Sequence, residues 1–360
     1  MIKKFWMCVV FIVAHVLARP FDAFAQEGSK RINLRMFGHT EYVVRPDTGQ
    51  WSQYFSLGEQ DFFVTARITD RLSFLGETVV RFSVMSATSF LPSIERAQLK
   101  YDYYKNHSVV LGKMHTPLNY WNDVYHHGRL FFPSIDRPTS FSYFIPLHTL
   151  GIRLQGQNLG PLGLGYDLVV GNGMSSTDFM KLSPHMSFMA AAHIKPFYGG
   201  QFTISYYRDR ISEGVSGVHV GHSHSGSGYK GIVDFQLLSL STVYFGERLE
   251  ILNEAGLNIN TTDSTGTVEN FSNYTYVGYR FKDKFVPYVV SDLMLVDRQE
   301  MHSPRTQIWH VGAGMRYEMS HLFNIKLELR RSTGLNYAVE PSSYPEAKRY
   351  QIKLQFSYGF

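Results

Sequence analysis

Cysteine is almost absent from this 360-residue chain: there is one, Cys8. It lies inside an N-terminal apolar run, so the disulfides that brace many exported domains are excluded. Long apolar runs are also scarce. Past the first 25 residues none approaches the roughly 20 residues that a membrane-spanning helix needs. Runs of like charge are missing, and the net charge of +5 is modest; Lys3, Lys4 and Arg19 against Asp22 contribute part of it, so it says little about partners. Catalytic signatures are thin. Neither G-x-x-x-x-G-K-[ST] nor H-E-x-x-H occurs, and Gly221-His-Ser-His-Ser225 lacks the last glycine of a nucleophile elbow. The glycines of Gly160-Pro-Leu-Gly-Leu-Gly165 fall in a hairpin turn and not at a strand-to-helix junction, so they make no dinucleotide fingerprint. No basic helix or ordered basic-aromatic patch points to nucleic acid. Neither an enzyme nor a cofactor is expected.

What the chain does have begins at its N-terminus. Lys3 and Lys4 precede an apolar run from Phe5 to Ala18, and Ala23-Phe24-Ala25 presents small residues to a signal peptidase. Residues 1–25 are therefore expected to be a secretory signal and 26–360 a single mature domain free of cysteine. The run is too short for a membrane anchor. Cys8 is too far from the cleavage point to carry a lipid.

Aromatics are abundant, with 23 Tyr and 27 Phe. The last eleven residues, Tyr350 to Phe360, alternate with a period of two. Tyr350, Ile352, Leu354, Phe356, Tyr358 and Phe360 share one face, and Gln351, Lys353, Gln355, Ser357 and Gly359 the other. A soluble sandwich strand could alternate in this way, but rings at both ends of the apolar face fit a strand that meets lipid. Similar runs recur from Arg31 onward. They predict sixteen strands, with fourteen or eighteen as alternatives: Arg31–Val44, Tyr54–Ile68, Leu72–Ser83, Ser93–Tyr103, Ser108–Thr116, Gly151–Gln157, Leu164–Val170, Pro184–Pro196, Gln201–Arg208, Tyr229–Leu238, Ser241–Leu249, Phe271–Phe281, Phe285–Val296, Thr306–Tyr317, Phe323–Arg330 and Ala347–Phe360. Short connections such as Lys105-Asn106-His107, Tyr198-Gly199-Gly200 and Lys282-Asp283-Lys284 alternate with long ones at Asp209–Gly228, Ile251–Asn270 and Arg331–Glu346. A membrane chain without apolar helices must close its sheet, because only helices and closed barrels satisfy every backbone polar group in hydrocarbon. The expected fold is all-β, a transmembrane antiparallel up-and-down barrel in the outer membrane with both ends on the periplasmic side.

The rhythm breaks once, from Pro117 to about Leu150, where aromatics, prolines and charges occur without alternation. Its ring content argues against disorder, and a long irregular segment is usually functional. If the apolar faces meet lipid, the opposite faces line the lumen. They carry Arg35, Arg67, Arg81, Arg96, Lys100, Arg153, Lys230, Arg248, Arg280, Arg316, Lys326, Arg330 and Lys353 against Asp61, Glu77, Asp234, Asp292 and Glu328. This excess of cations predicts an anion-leaning channel; mutual pairing of these groups is the alternative. His219, His222 and His224 are imidazoles in a glycine- and serine-rich stretch, a weak metal set without neighbouring carboxylates, and no metal site is assigned. His126 and His127 are expected in the packed loop. A Ser–His pair or two carboxylates at a barrel rim could still make a hydrolase.

With signal, alternation and terminal Phe360 in hand, the mature chain resembles Gram-negative outer-membrane porins. In such barrels the closing strand serves the assembly machinery as its signal, so Phe360 is implied to be read by it. The third outer loop of general porins folds into the lumen. That resemblance implies a constriction from Asp123, Arg129, Asp136 and Arg137, with Trp121 and the phenylalanines packing the loop on the wall. Gly112-Lys-Met-His-Thr-Pro-Leu118, a strand end opening a long aromatic loop, is similar to the phosphate-selective porin O and P family, although no cluster of closely spaced lysines follows. The resemblance implies passive diffusion of small hydrophilic solutes, contact with outer-membrane lipid and lipopolysaccharide, and a homotrimer. A surface receptor or adhesion barrel, and a hydrolase, are the competing functions.

Overall fold

The computed structural model describes residues 31–47, 50–82, 90–126, 128–174, 184–212, 218–219, 222–223, 231–303, 306–336 and 347–360. Sixteen antiparallel strands, each paired with its neighbours in chain order, close on themselves. They are β1 (Ile32–Asp47), β2 (Gln50–Arg67), β3 (Leu72–Phe82), β4 (Phe90–Tyr104), β5 (His107–His115), β6 (His148–Leu159), β7 (Leu164–Asn172) and β8 (Met186–Ile194). The second half runs through β9 (Gly200–Ile211), β10 (Val233–Phe245), β11 (Leu249–Thr262), β12 (Gly266–Tyr279), β13 (Phe285–Leu295), β14 (Thr306–Ser320), β15 (Phe323–Asn336) and β16 (Ala347–Gly359). A two-residue hairpin, Val218–His219 against His222–Ser223, lies between β9 and β10.

The seam joins β1 to β16, with Thr40 opposite Phe356 and Val44 opposite Ile352. Phe360 completes it: its amide donates to the Met36 carbonyl at 3.0 Å, and the Met36 amide donates to the Phe360 carbonyl at 2.8 Å. Period-two alternation sorts the faces. Gln355 and Ser357 are buried inward, while Tyr350 and Ile352 are exposed outward. Around the outside Leu34, Leu99, Leu111, Ile152, Ile204, Leu240, Val289, Val311 and Leu329 are likewise exposed. An apolar belt around a whole barrel far exceeds the patches that water-soluble monomers carry. The outside of this barrel is a membrane face.

Connections at the end that carries both termini are short, as at 105–106, 246–248 and 321–322, whereas the opposite end carries 116–147 and 212–232. This asymmetry puts the short turns on the periplasmic side. Lys282 and Asp283 both have positive φ, 48° and 58°, the primed-turn geometry that matches strand twist.

The strand number agrees with the sequence reading, but one placement does not. The segment taken as strand Ser241–Leu249 is the second half of β10, and much of the expected loop Ile251–Asn270 is β11 and β12 joined by residues 263–265. β11 turns Glu250, Glu254, Asn258 and Asn260 inward, all buried, and puts Asn253 and Ala255 on the outer face. That composition reads as loop when only apolar alternation is counted. β1 and β2 also run further than expected, leaving a connection of residues 48–49 alone. Asp234, assigned to the lumen, belongs to the outward face of β10, because Val233, Phe235 and Leu237 point inward and are buried. The signal segment, Lys230 and His224 lie outside the described residues.

Candidate functional site

β5 stops alternating at Gly112, whose φ of +125° is open only to glycine at low cost. A Cβ there would lie 2.2 Å from the Ala97 carbonyl oxygen. Beyond it Lys113, Met114 and His115 are all buried, and the chain turns into the lumen. The loop 116–147 carries a π-helical turn, Trp121–Tyr125, and a short helix α1, Thr139–Tyr143.

This loop is bound to the wall at widely separated strands. The amide of Trp121 donates to Glu254 of β11 at 2.8 Å, and Ser134 bonds the Tyr274 hydroxyl of β12 at 2.8 Å. The Thr139 hydroxyl donates to Asp292 of β13 at 2.6 Å. Loop carbonyls are taken by Arg316 (Pro133, 2.9 Å), Asn324 (Leu130, 2.6 Å) and Lys326 (Arg129, 2.6 Å). Each such bond satisfies a polar group that burial would otherwise leave costly.

The packing beneath is apolar. Leu118, Trp121, Phe132, Phe141, Phe144 and Leu147 of the loop form one cluster with Val169, Met189, Tyr207, Phe235, Leu237, Leu252, Tyr274, Tyr288 and Val290. These wall residues are the inward side chains of β7 to β13. Trp121 meets Phe132, Tyr274 and Tyr125 edge-on at 5.0, 5.1 and 5.3 Å, a favoured aromatic geometry. The loop therefore rests on an apolar cluster of these strands, which also turn Asp167, Asp209, Glu254 and Asp292 inward. The assumption that every inward face is polar fails here, because a loop this rich in rings needs an apolar wall to rest on.

Among the described residues three cavities lie along β1 to β5 and the β14–β16 wall. A cavity of about 410 Å³ is lined by Arg35, Phe37, Phe63, Glu77, Arg96, His115, Tyr125 and Phe131. It shares Asn33, Thr65 and Leu75 with a second cavity of about 340 Å³ that reaches Arg31, Arg67 and Lys100 towards the periplasmic mouth. On the other side of the loop a third, of about 530 Å³, is lined by Arg45, His310, Ser332 and Arg349.

The four residues expected at a constriction all lie in the loop, each with a wall or loop partner. Arg137 holds Glu59 of β2 through two bonds, 2.6 and 3.2 Å. Asp136 meets Lys353 at 2.6 Å and Arg330 at 3.2 Å. Burial pushes the Asp136 carboxyl upward, but Lys353 and Arg330 outweigh it and hold the group below the ordinary carboxylate range. Arg129 lies over the Phe132 ring, 5.1 Å from its centroid. Asp123 is 3.6 Å from Arg153.

The expected pore-lining cations divide in two. Arg81 pairs with Glu59 and Glu95 at 3.1 and 3.0 Å, Arg96 with Glu77, and Arg153 with Asp167 at 2.7 Å. Arg280 and Arg316 share Glu250 and Glu318, and Lys100 meets Asp102 at 3.1 Å. Arg35 and Arg67 are exposed into the periplasmic-side space, and among the described residues no carboxylate pairs with them. The carboxylates Glu41, Glu59, Glu95, Asp167, Glu250 and Glu254 are not counted in the sequence reading, and with them the inward face carries less excess positive charge than predicted. His126 is buried in the loop, as expected. The side chains of His219 and His222 are outside the described residues.

No protein-family model and no curated protein matches the chain. Solved structures do. An anion-selective porin from Comamonas acidovorans superposes with a TM-score of 0.65 at 9% identity, over 91% of this chain and 99% of that one. OmpT, expressed in the outer membrane of Vibrio cholerae, gives 0.60 at 11%, over 93% and 99%. The outer-membrane channel DcaP of Acinetobacter baumannii gives 0.59 at 11%, over 91% and 97%. At such identities the likeness is one of fold, and that fold is the closed sixteen-strand barrel of outer-membrane porins and channels.

Proposed function

We propose that this chain is a passive diffusion channel for small hydrophilic solutes, with anions passing ahead of cations, and that its third loop narrows the path. One observation carries the reading: most carboxylates along the lumen are already engaged by a cation, whereas Arg31, Arg35 and Arg67 on one side of the loop, and Arg45 and Arg349 on the other, border the open space. Charges neutralised in pairs add little to the potential a passing ion feels; unpaired guanidinium groups dominate it. The similarity of Gly112–Leu118 to phosphate-selective porins makes phosphate the first anion to try. Assembly as a trimer belongs to the same proposal, since one similar structure is the trimer form of OmpT from Vibrio cholerae.

The test is a salt gradient across a planar bilayer. The reversal potential should have the sign of anion preference, and R35Q combined with R67Q should move it towards zero. Cation preference in the parent protein would overturn the assignment. One contact favours a hydrolase: His310 Nδ1 bonds Ser332 Oγ at 2.7 Å in the outer cavity. A nucleophilic Ser–His pair needs a third group to orient the imidazole, and none is bonded to His310 among the described contacts. Liposome swelling separates channel from receptor and hydrolase alike.

A further inference from the structure

At the root of the third loop three imidazoles, from its two ends and its interior, converge. His115 is the last residue of β5 and His148 the first of β6, opposite each other in register. His126 closes the π-helical turn in a left-handed conformation, φ +37°, which lays its ring on that of His115 with centroids 3.6 Å apart and against His148 at 4.6 Å. One ring nitrogen from each lies within 4.8 Å of the others. An amide oxygen holds the His126 ring by a hydrogen bond, and carboxylates lie at ion-pair distance from the other two. Asn122 Oδ1 is 2.7 Å from His126 Nδ1, Glu95 Oε2 is 2.7 Å from His148 Nε2, and Glu77 Oε2 is 3.4 Å from His115 Nε2. Asn122 is itself fixed, donating to the carbonyls of Thr116 and Leu147 at 2.7 and 3.1 Å. His126 is built as metal-binding imidazoles are, with one nitrogen set by an amide oxygen and the other left to face an ion.

We propose that His115, His126 and His148 bind one borderline divalent transition-metal ion, zinc foremost, with Glu77, Glu95 or a water completing the shell. Imidazole suits zinc, copper and nickel, and three histidines with an oxygen ligand form a common zinc set. In a tetrahedral site with nitrogens about 2.1 Å from zinc, ligand atoms stand roughly 3.4 Å apart. His115 and His126 are stacked with their planes 21° apart, so binding turns them out of the stack until their lone pairs converge on the ion. His115 borders the 410 Å³ cavity, so the ion has a route from the lumen. Because His126 belongs to the loop and the other two to the wall, the ion fastens the loop at the point where it leaves and rejoins the barrel.

The mature chain, refolded in detergent and stripped with a chelator, is titrated with zinc chloride by calorimetry, and with cobalt(II) by visible absorption. One ion per chain is expected, with cobalt bands of tetrahedral intensity. H126Q should weaken binding at least tenfold, whereas the combined variant H219A, H222A, H224A should leave it unchanged. Should H126Q fail to refold, zinc protection of His115, His126 and His148 from diethyl pyrocarbonate, read by peptide mass, asks the same question of the unaltered chain. Absence of saturable zinc binding, or binding that survives H126Q and disappears with the outer-loop histidines, overturns the proposal.

Discussion

Asp136 illustrates how single residues hold this lumen in shape. Its carboxylate sits between Lys353 and Arg330, and its pKa is lower than in an unfolded chain. Such a group contributes stability that is complete above the unfolded value of about 3.9 and is lost only as pH falls through the lower, folded value. The stability difference between the parent and D136N should therefore stay constant from neutral pH down to about pH 4; a difference that shrinks at mildly acidic pH would contradict this attachment. Removing one member of a fully buried ion pair typically costs about 3–5 kcal/mol, and this partly exposed pair costs less. D136N should accordingly loosen the loop at neutral pH and give larger, noisier currents. The sequence put Asp136 and Arg137 at the constriction because charges in an irregular aromatic segment stand out. Their partners Glu59, Arg330 and Lys353 could not be read, since they come from β2, β15 and β16 and meet the loop only once the barrel has closed. The trio His115, His126 and His148 escaped for the same reason: strand register and a left-handed turn assemble it, and local spacing does not.

At the scale of the element, the third loop behaves as a core segment. Trp121 is fully buried among Phe132, Tyr274 and Tyr125, and its amide is held by Glu254. Replacing a buried aromatic with alanine costs about 3–5 kcal/mol in a packed core. W121A should keep the barrel, read as a heat-modifiable band in gel electrophoresis, while conductance rises as the loop loosens. An unchanged conductance would mean that the loop does not limit flow. Alternation revealed β1 to β5 and β16 clearly because one face is apolar and the other charged. It blurred β10 and β11, where Phe235 and Leu237 face inward opposite outward Leu238 and Leu240. A strand with two apolar faces, followed by one with glutamates and asparagines inside, offers no period to count. The apolar cluster under the loop and the misplaced strand thus share one cause.

For the molecule as a whole, the last residue extends the closing seam. Phe360 exchanges two backbone hydrogen bonds with Met36, while the rest of the β1–β16 register stands without it. Deleting Phe360 should lower the amount of folded barrel recovered from outer membranes and leave refolding in detergent largely intact. Equal recovery in membranes would remove Phe360 from any role in assembly.

The packing of the loop against β7 to β13 has an electrical consequence. A close-packed loop and wall polarise less than water does, so the lines of force from Arg35 and Arg67 are crowded into the open space instead of spreading across the whole cross-section. A few guanidinium groups on one wall then act on a passing ion over a longer range than they would in a uniformly flooded cylinder, and added salt, which can enter only the open space, is the agent that weakens them.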